Sequence, residues 1–267
     1  MTHVKSVVTM LKKASFMGAF FLLLSTQSYA ATSFCSIKPI TAEFSVKQVI
    51  DGDTLRLHNG RSVRLIGIDA PEMGGRGRTD QPYAVQAKQR LSALVKANNN
   101  KVSLRTGQES KDRYGRVLAY TYDRHGASFE EQLVAAGLAF HAVIAPNIEL
   151  AECLVQAEEH ARTARLGLWK HAAYKPAQQI KTGGFTLLQG RVQSVERNEG
   201  GVWLELGHSV AVNIPKTALH NFDNELFEGW AGRTLQTRGW VVDRQGQQSK
   251  YARWRLTVSH PSMLQLK

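Results

Sequence analysis

From residue 44 onward, short apolar runs alternate with polar turns. Residues 44–50, 54–58 and 62–68 are rich in Val, Ile and Leu and read as three strands. The dipeptides Asp51-Gly52 and Asn59-Gly60 between them suit tight hairpins. Over 82–96 the period changes. Ala84, Ala87, Leu91, Leu94 and Val95 recur at helical spacing and predict a helix, which Asn98, Asn99 and Asn100 end. Residues 101–105 and 117–122 read as two more strands. Ser128 followed by Glu131 is a capping-box start for a second helix reaching residue 136 and stopped at Gly137. A third helix is predicted over 147–165, ending at Gly167 with Trp169 packing after it. Three strands, a helix, two strands and two helices fit a β-rich α+β fold, a five-stranded barrel with helices packed on it.

A second strand-rich stretch follows. Residues 174–184, with Lys175-Pro176 and Gly183-Gly184, read as a linker. Runs at 185–195, 202–206, 210–214, 234–242 and 254–258 then predict five strands, with a polar segment over 215–229 between the third and fourth. That pattern suits a second small OB-like β-barrel over 185–267. Trp203, Trp230, Trp240 and Trp254 all fall here. Two readings stay open for them: core and caps of the barrel, or a platform on which single-stranded nucleic acid stacks. The run Val202 to Leu206 does not offer one clean exposed face, which favours the core.

Composition narrows the class. An apolar share of 43% with 21% charged residues describes an ordinary globular chain of 267 residues. The formal charge of +12 favours polyanionic partners over acidic proteins or neutral metabolites. Residues 1–30 read as a signal peptide: Lys5, Lys12 and Lys13 precede an uncharged apolar run at 14–24, and Ser28-Tyr29-Ala30 offers small residues for cleavage. The run is shorter than a bilayer span. Cleavage would remove three lysines and no acid from +12, leaving +9 on residues 31–267. A secreted or periplasmic location follows as an expectation. In an oxidising compartment Cys35 and Cys153 could bridge. Cys153 also lies on an apolar helical stripe with Leu150, Leu154, Ala157 and Ala161, so a simple core position stays equally open.

The chemistry concentrates in two segments. One runs from Asp51-Gly52-Asp53-Thr54 through Arg64 to Asp69-Ala70-Pro71-Glu72, and the other is Asp112-Arg113-Tyr114-Gly115-Arg116. Carboxylate oxygens suit a hard divalent cation, and a planar guanidinium suits the forked oxygens of phosphate. Together they supply what metal-assisted phosphodiester hydrolysis needs. Each residue alone has an ordinary reading: Asp-Gly is a common turn, and Arg64 could be a solvated strand residue. The ordered set is far less ordinary.

In order and spacing these segments resemble the staphylococcal nuclease (thermonuclease) family, from about residue 44 to 169. The resemblance implies an OB-type barrel and an endonuclease acting on DNA and/or RNA with little sequence specificity. It assigns Asp53, Asp69 and the backbone carbonyl of Ala70 to calcium or another divalent metal, with Asp51 behind them. Glu72 corresponds to the glutamate that contacts the attacking water, and Arg64 and Arg116 to the phosphate-binding arginines. Asp112, Arg113, Tyr114 and Tyr83 are weaker matches to substrate contacts. The Gly-rich loop 73–80, with Arg76 and Arg78, reads as a substrate-facing flap or a plain surface loop. The chain departs from the pattern at 140–147. Val143, Ile144 and Ala145 stand where the family's namesake has stacking tyrosines, and His141 beside them is more often a packed residue than a catalyst. Two rivals belong to other classes. A non-catalytic nucleic-acid-binding relative should have lost Arg64, Glu72 or Arg116, and none is lost. A phosphoesterase on another anionic substrate would use the same groups.

Overall fold

Val46 and Val49 lie three apart in β1 (Glu43–Val49), yet both face inward. The register against β2 (Thr54–Leu57) shifts between Val46 and Gln48, and this bulge turns both valines to the core. In β3 (Ser62–Leu65), Val63 and Leu65 point in and leave Arg64 on the opposite face. The computed structural model describes residue 35 and residues 42–267, apart from 76, 223–226, 228 and 245–251. The expected signal peptide over 1–30 and Arg76 of the expected flap lie outside the described residues. Among the described residues no helix is long and apolar enough to cross a membrane.

The predicted strand over 62–68 is two elements. Gly67, at φ 83°, breaks the run, and β4 (Ile68–Asp69) leaves the barrel to pair with β7 (Phe140–His141). A continuous apolar run hid that break. Helix α1 (Ala84–Ala97) buries Ala84, Ala87, Leu91, Leu94 and Val95, as their period predicts. The strand expected over 101–105 continues as β5 (Lys101–Lys111), whose later residues are polar and largely exposed. β6 (Val117–Tyr122) completes a closed ring, β1-β2-β3-β6-β5, with β3 and β6 parallel and the other pairs antiparallel.

Helix α2 (Phe129–Ala135) is capped by the Ser128 hydroxyl, which accepts the Glu131 N–H at 3.2 Å. Helix α3 (Ala151–Thr163) starts later than the expected residue 147. Asn147 does not open it because its amide is engaged elsewhere: Oδ1 accepts the Glu109 N–H at 3.1 Å and Nδ2 donates to the Glu109 carbonyl at 2.9 Å. The two glycines predicted to stop α2 and α3 lie against each other. A Cβ on Gly137 would sit 2.3 Å from the Leu166 carbonyl oxygen, and one on Gly167 2.2 Å from the Gly137 carbonyl oxygen. Cys35 and Cys153 form a disulfide with Cα atoms 5.4 Å apart, tying the start of the described chain to α3.

The second half repeats the topology. β9 (Gly184–Asn198), β10 (Gly201–Leu206), β11 (Val210–Pro215), β13 (Trp254–Thr257) and β12 (Thr234–Asp243) close a second ring, again with one parallel pair, between β11 and β13. This is a second OB-like barrel. β14 (Leu264–Leu266) adds to β12, and β8 (Lys175–Pro176) adds to β9. The stretch read as a linker is therefore partly ordered into this barrel, with Ala177 and Ile180 in its core. Val202, Leu204 and Leu206 point inward while Trp203 and Glu205 alternate outward, a cleaner two-faced strand than its composition suggests. Trp230 and Trp254 are buried, whereas Trp203 and Trp240 are half-buried. Ala142, Val143 and Ala151 of the first half join this second core, so the two barrels share packing.

Candidate active site

The Asp51–Asp53 turn and the Asp69–Glu72 segment meet at one end of the first barrel. Gly52 lies tight against Ala70 and Ala87 of α1; a Cβ there would come within 2.6 Å of both methyl groups. Small residues at all three positions let the Asp51–Asp53 turn approach the Asp69–Glu72 segment. Asp53 is buried and both of its carboxylate oxygens have partners. Oδ1 accepts the Thr54 hydroxyl at 3.0 Å, Oδ2 accepts the Ala70 N–H at 2.8 Å, and Arg64 pairs with Oδ2. The other Arg64 nitrogen donates to the Ile68 carbonyl at 3.1 Å and to Asp69 Oδ1 at 3.2 Å. One guanidinium thus spans the two carboxylates expected to hold metal. Asp51 stands behind, its Oδ1 accepting the Asp53 N–H at 3.0 Å.

Negative charge is in surplus here. Burial, then the Asp53 charge, pushes the Asp51 carboxyl up to about 7. Burial also lifts Asp69 to about 7; Arg64 pulls it down, and Asp53 and Glu72 push it up again. A lone guanidinium does not neutralise Asp51, Asp53, Asp69 and Glu72, and a bound divalent cation would offset most of the remaining negative charge. The donors are hard oxygens, which fits calcium or a similar ion. Among the described residues no three acidic, His or Cys side chains converge as a ready-made metal cage. Two aspartates would therefore need main-chain, water or substrate oxygens to complete a shell.

Glu72 is exposed, and its backbone is held from both sides by a residue the sequence did not single out. Gln81 Oε1 accepts the Glu72 N–H at 3.0 Å, and the Gln81 N–H donates to the Glu72 carbonyl at 3.0 Å. Gln81 closes the Gly-rich loop, which Asp80 also pins by accepting the Gly74 N–H at 2.6 Å. No periodicity or motif marks a side-chain-to-backbone clamp of this kind. Arg78 is exposed on that loop, and Tyr83 is half-buried at φ 70° just before α1.

Arg116 sits immediately before β6, whose Val117 pairs with Val63 beside Arg64. Asp112, expected as a substrate contact, builds the Arg116 turn. Its Oδ1 accepts the N–H groups of Tyr114 and Arg116, both at 2.9 Å, and its Oδ2 accepts Arg116 Nε at 2.6 Å. Slight burial pushes the Asp112 carboxyl up, but these bonds outweigh it and hold it below the usual carboxylate range. Arg113 stacks on the exposed Tyr114 ring at 4.8 Å and donates to its hydroxyl at 2.7 Å. His141 is fully buried, and its imidazole is pushed down to about 3 by burial and by the charges of Arg238 and His260. It belongs to the packing.

An OB barrel with acidic turns and two arginines at one end defines a class of phosphate-handling proteins, and the comparisons agree. The chain belongs to the staphylococcal nuclease family: residues 62–171 match the family model described as "Staphylococcal nuclease homologue". It is 31% identical over 153 residues to "Endonuclease YncB" of Bacillus subtilis (strain 168), covering 56% of this chain and 72% of that protein. It is 33% identical over 131 residues to "Thermonuclease" of Staphylococcus hyicus, 48% of this chain and 76% of the relative. Against "Thermonuclease" of Staphylococcus intermedius the identity is 34% over 130 residues, 48% and 76% of the two chains. Membership supports a nuclease, hydrolytic function.

Proposed function

We propose that the protein is an exported, divalent-metal-dependent endonuclease that hydrolyses phosphodiester bonds of DNA and/or RNA with little sequence specificity. The observation that carries this reading is the Asp53–Arg64–Asp69 cluster, with Asp51 and Asp69 carrying raised carboxyls beside it. Attack on a phosphodiester brings an anionic nucleophile toward an anion, so the site must offset charge and orient a water. A divalent cation, calcium by preference, would supply charge neutralisation at the phosphate when bound to Asp53, Asp69 and the Ala70 carbonyl.

The rest is done by the chain itself. Glu72, solvent-facing and clamped by Gln81, contacts and orients the attacking water. Arg116, aligned by Asp112, donates in parallel to phosphate oxygens and tightens as charge builds. Arg64 does the same, exchanging its hold on the aspartates for phosphate. Phosphate contacts carry no base identity, so little sequence specificity is expected. Export is supported by the leader-like pattern of residues 1–30. The test is cleavage by purified wild-type and Glu72→Gln protein of single- and double-stranded DNA and RNA, with calcium or with EDTA. Equal turnover by the two proteins would remove Glu72 from the mechanism.

A further inference from the structure

Strand pair β4–β7 is where the site meets the second barrel. Asp69 lies opposite Phe140 and Ile68 opposite His141. The Phe140 ring meets Trp169 edge-on at 5.3 Å and stacks on Phe185 of β9 at 5.7 Å, and Phe185 meets Trp240 of β12 at 5.1 Å. Glu158 of α3 ties the same strand down electrostatically. Its Oε1 accepts the His141 main-chain N–H at 2.9 Å, and its Oε2 pairs with Arg238 of β12. Both partners of that ion pair are buried, with side chains 7% and 5% exposed. Arg238 also donates to the Tyr174 hydroxyl at 3.3 Å and lies 5.8 Å from the Trp169 ring centre. Just beyond β7, the Ala145 N–H donates to Ser259 Oγ at 2.8 Å and the Val143 N–H to Met263 Sδ at 3.4 Å. Ala142, Val143 and Ala145, in the stretch where the sequence lacks stacking aromatics, thus form a docking seam for the second barrel.

A buried ion pair is a poor way to add stability, because desolvation offsets most of the attraction. One carboxylate shared between a strand amide and a guanidinium does fix that strand's position. We propose that the second barrel is a positioning element for the active site of the first. Phe185 and Arg238 hold β7, β7 holds β4, and β4 presents both the Asp69 carboxylate and the Ile68 carbonyl to which Arg64 is bonded. Phe185 and Arg238 are positioning residues that act through β7. The proposal rests on the nuclease reading above.

A cleft of about 570 Å³ on the second barrel is lined by Trp203, Asn198 and Arg244 together with Glu196 and Glu205. Glu196 and Glu205 place negative charge in this cleft, which works against a phosphate backbone there.

The experiment uses the full chain carrying Phe185→Ala, Phe185→Leu or Arg238→Lys, with Arg253→Gln as a control on an exposed pair distant in role from β7. Folding is checked by circular dichroism at the assay temperature. Two readouts follow: calcium-dependent cleavage kinetics, and amide exchange of peptides covering 68–70 and 140–142. Misplacement by an ångström costs up to about a hundred-fold, so Phe185→Ala and Arg238→Lys should lower kcat about ten- to hundred-fold, with KM within about two-fold. Phe185→Leu should recover part of the loss, and Arg253→Gln should lose nothing. Exchange in both peptides should rise about ten-fold in Phe185→Ala and Arg238→Lys, with β10 unchanged. Unchanged kcat with raised KM would overturn the proposal in favour of a substrate-holding barrel. Unchanged exchange at 68–70 would overturn it outright. If the wild type does not cleave, the nuclease reading fails, and the exchange result alone decides this inference.

Discussion

Replacing Arg64 with Met separates its structural work from its chemistry. The wild-type side chain is 13% exposed and sits between Asp53 and Asp69, whose side chains are 5% and 16% exposed. Methionine fills similar volume but leaves both carboxylates without their counter-charge. Breaking a buried pair from one side costs about 3–5 kcal/mol. The cost should depend on pH. Asp69 and Asp51 already sit near 7 with Arg64 present, and losing the cation raises them further. A carboxyl raised above its unfolded value contributes stability below the unfolded pKa, and that contribution is lost as pH rises through the folded one. The variant should therefore be near wild type at pH 4 to 5 and most destabilised at pH 8 to 9. For a domain pair of this size, about 3 kcal/mol lowers Tm by roughly 6–12 °C. Calcium should shrink the deficit, because carboxylates no longer held by Arg64 bind the cation more tightly than in the wild type, and tighter binding stabilises the folded state more. Thermal melts followed by circular dichroism at both pH values, with EDTA and with calcium, make the measurement. A deficit that is the same at both pH values and untouched by calcium would refute this electrostatic account.

Glu72→Gln and Arg116→Ala should keep the fold and nucleic-acid affinity while losing turnover, Arg116→Ala by about 2.7–4 kcal/mol, with a double variant losing less than the sum; filter binding and steady-state kinetics check both. Metal affinity should climb as pH rises through about 7, because Asp69 must shed its proton to ligate and Asp51 behind it reinforces the trend; calcium titrations at several pH values would show a flat profile if the assignment were wrong. Reducing the Cys35–Cys153 bridge, which spans 118 residues, should cost about 4–5 kcal/mol in the chain-entropy picture. Urea melts with and without reductant that coincide would contradict it.

What the sequence disclosed follows from what pattern encodes. Ala84, Ala87, Leu91, Leu94 and Val95 announced α1 because one buried helical face repeats at one period. Val63 and Leu65 likewise announced β3. The break at Gly67 was silent, since Leu65, Ile66 and Ile68 are apolar on both sides of it. The resemblance named Asp53, Arg64 and Asp69, which the fold brings into direct contact. It did not reveal Asp112 as the brace of Arg116, nor Gln81 as the clamp on Glu72, because those roles depend on backbone geometry in turns. Least legible of all was the seam between barrels: Glu158 and Arg238 are 80 residues apart, and no local pattern links them.

The most direct measurement is cleavage of DNA and RNA by the purified full chain, in calcium and in excess EDTA. Rapid hydrolysis with calcium and none in EDTA is the result the account predicts. Full activity in EDTA, or no hydrolysis with calcium or any other divalent metal, would contradict it.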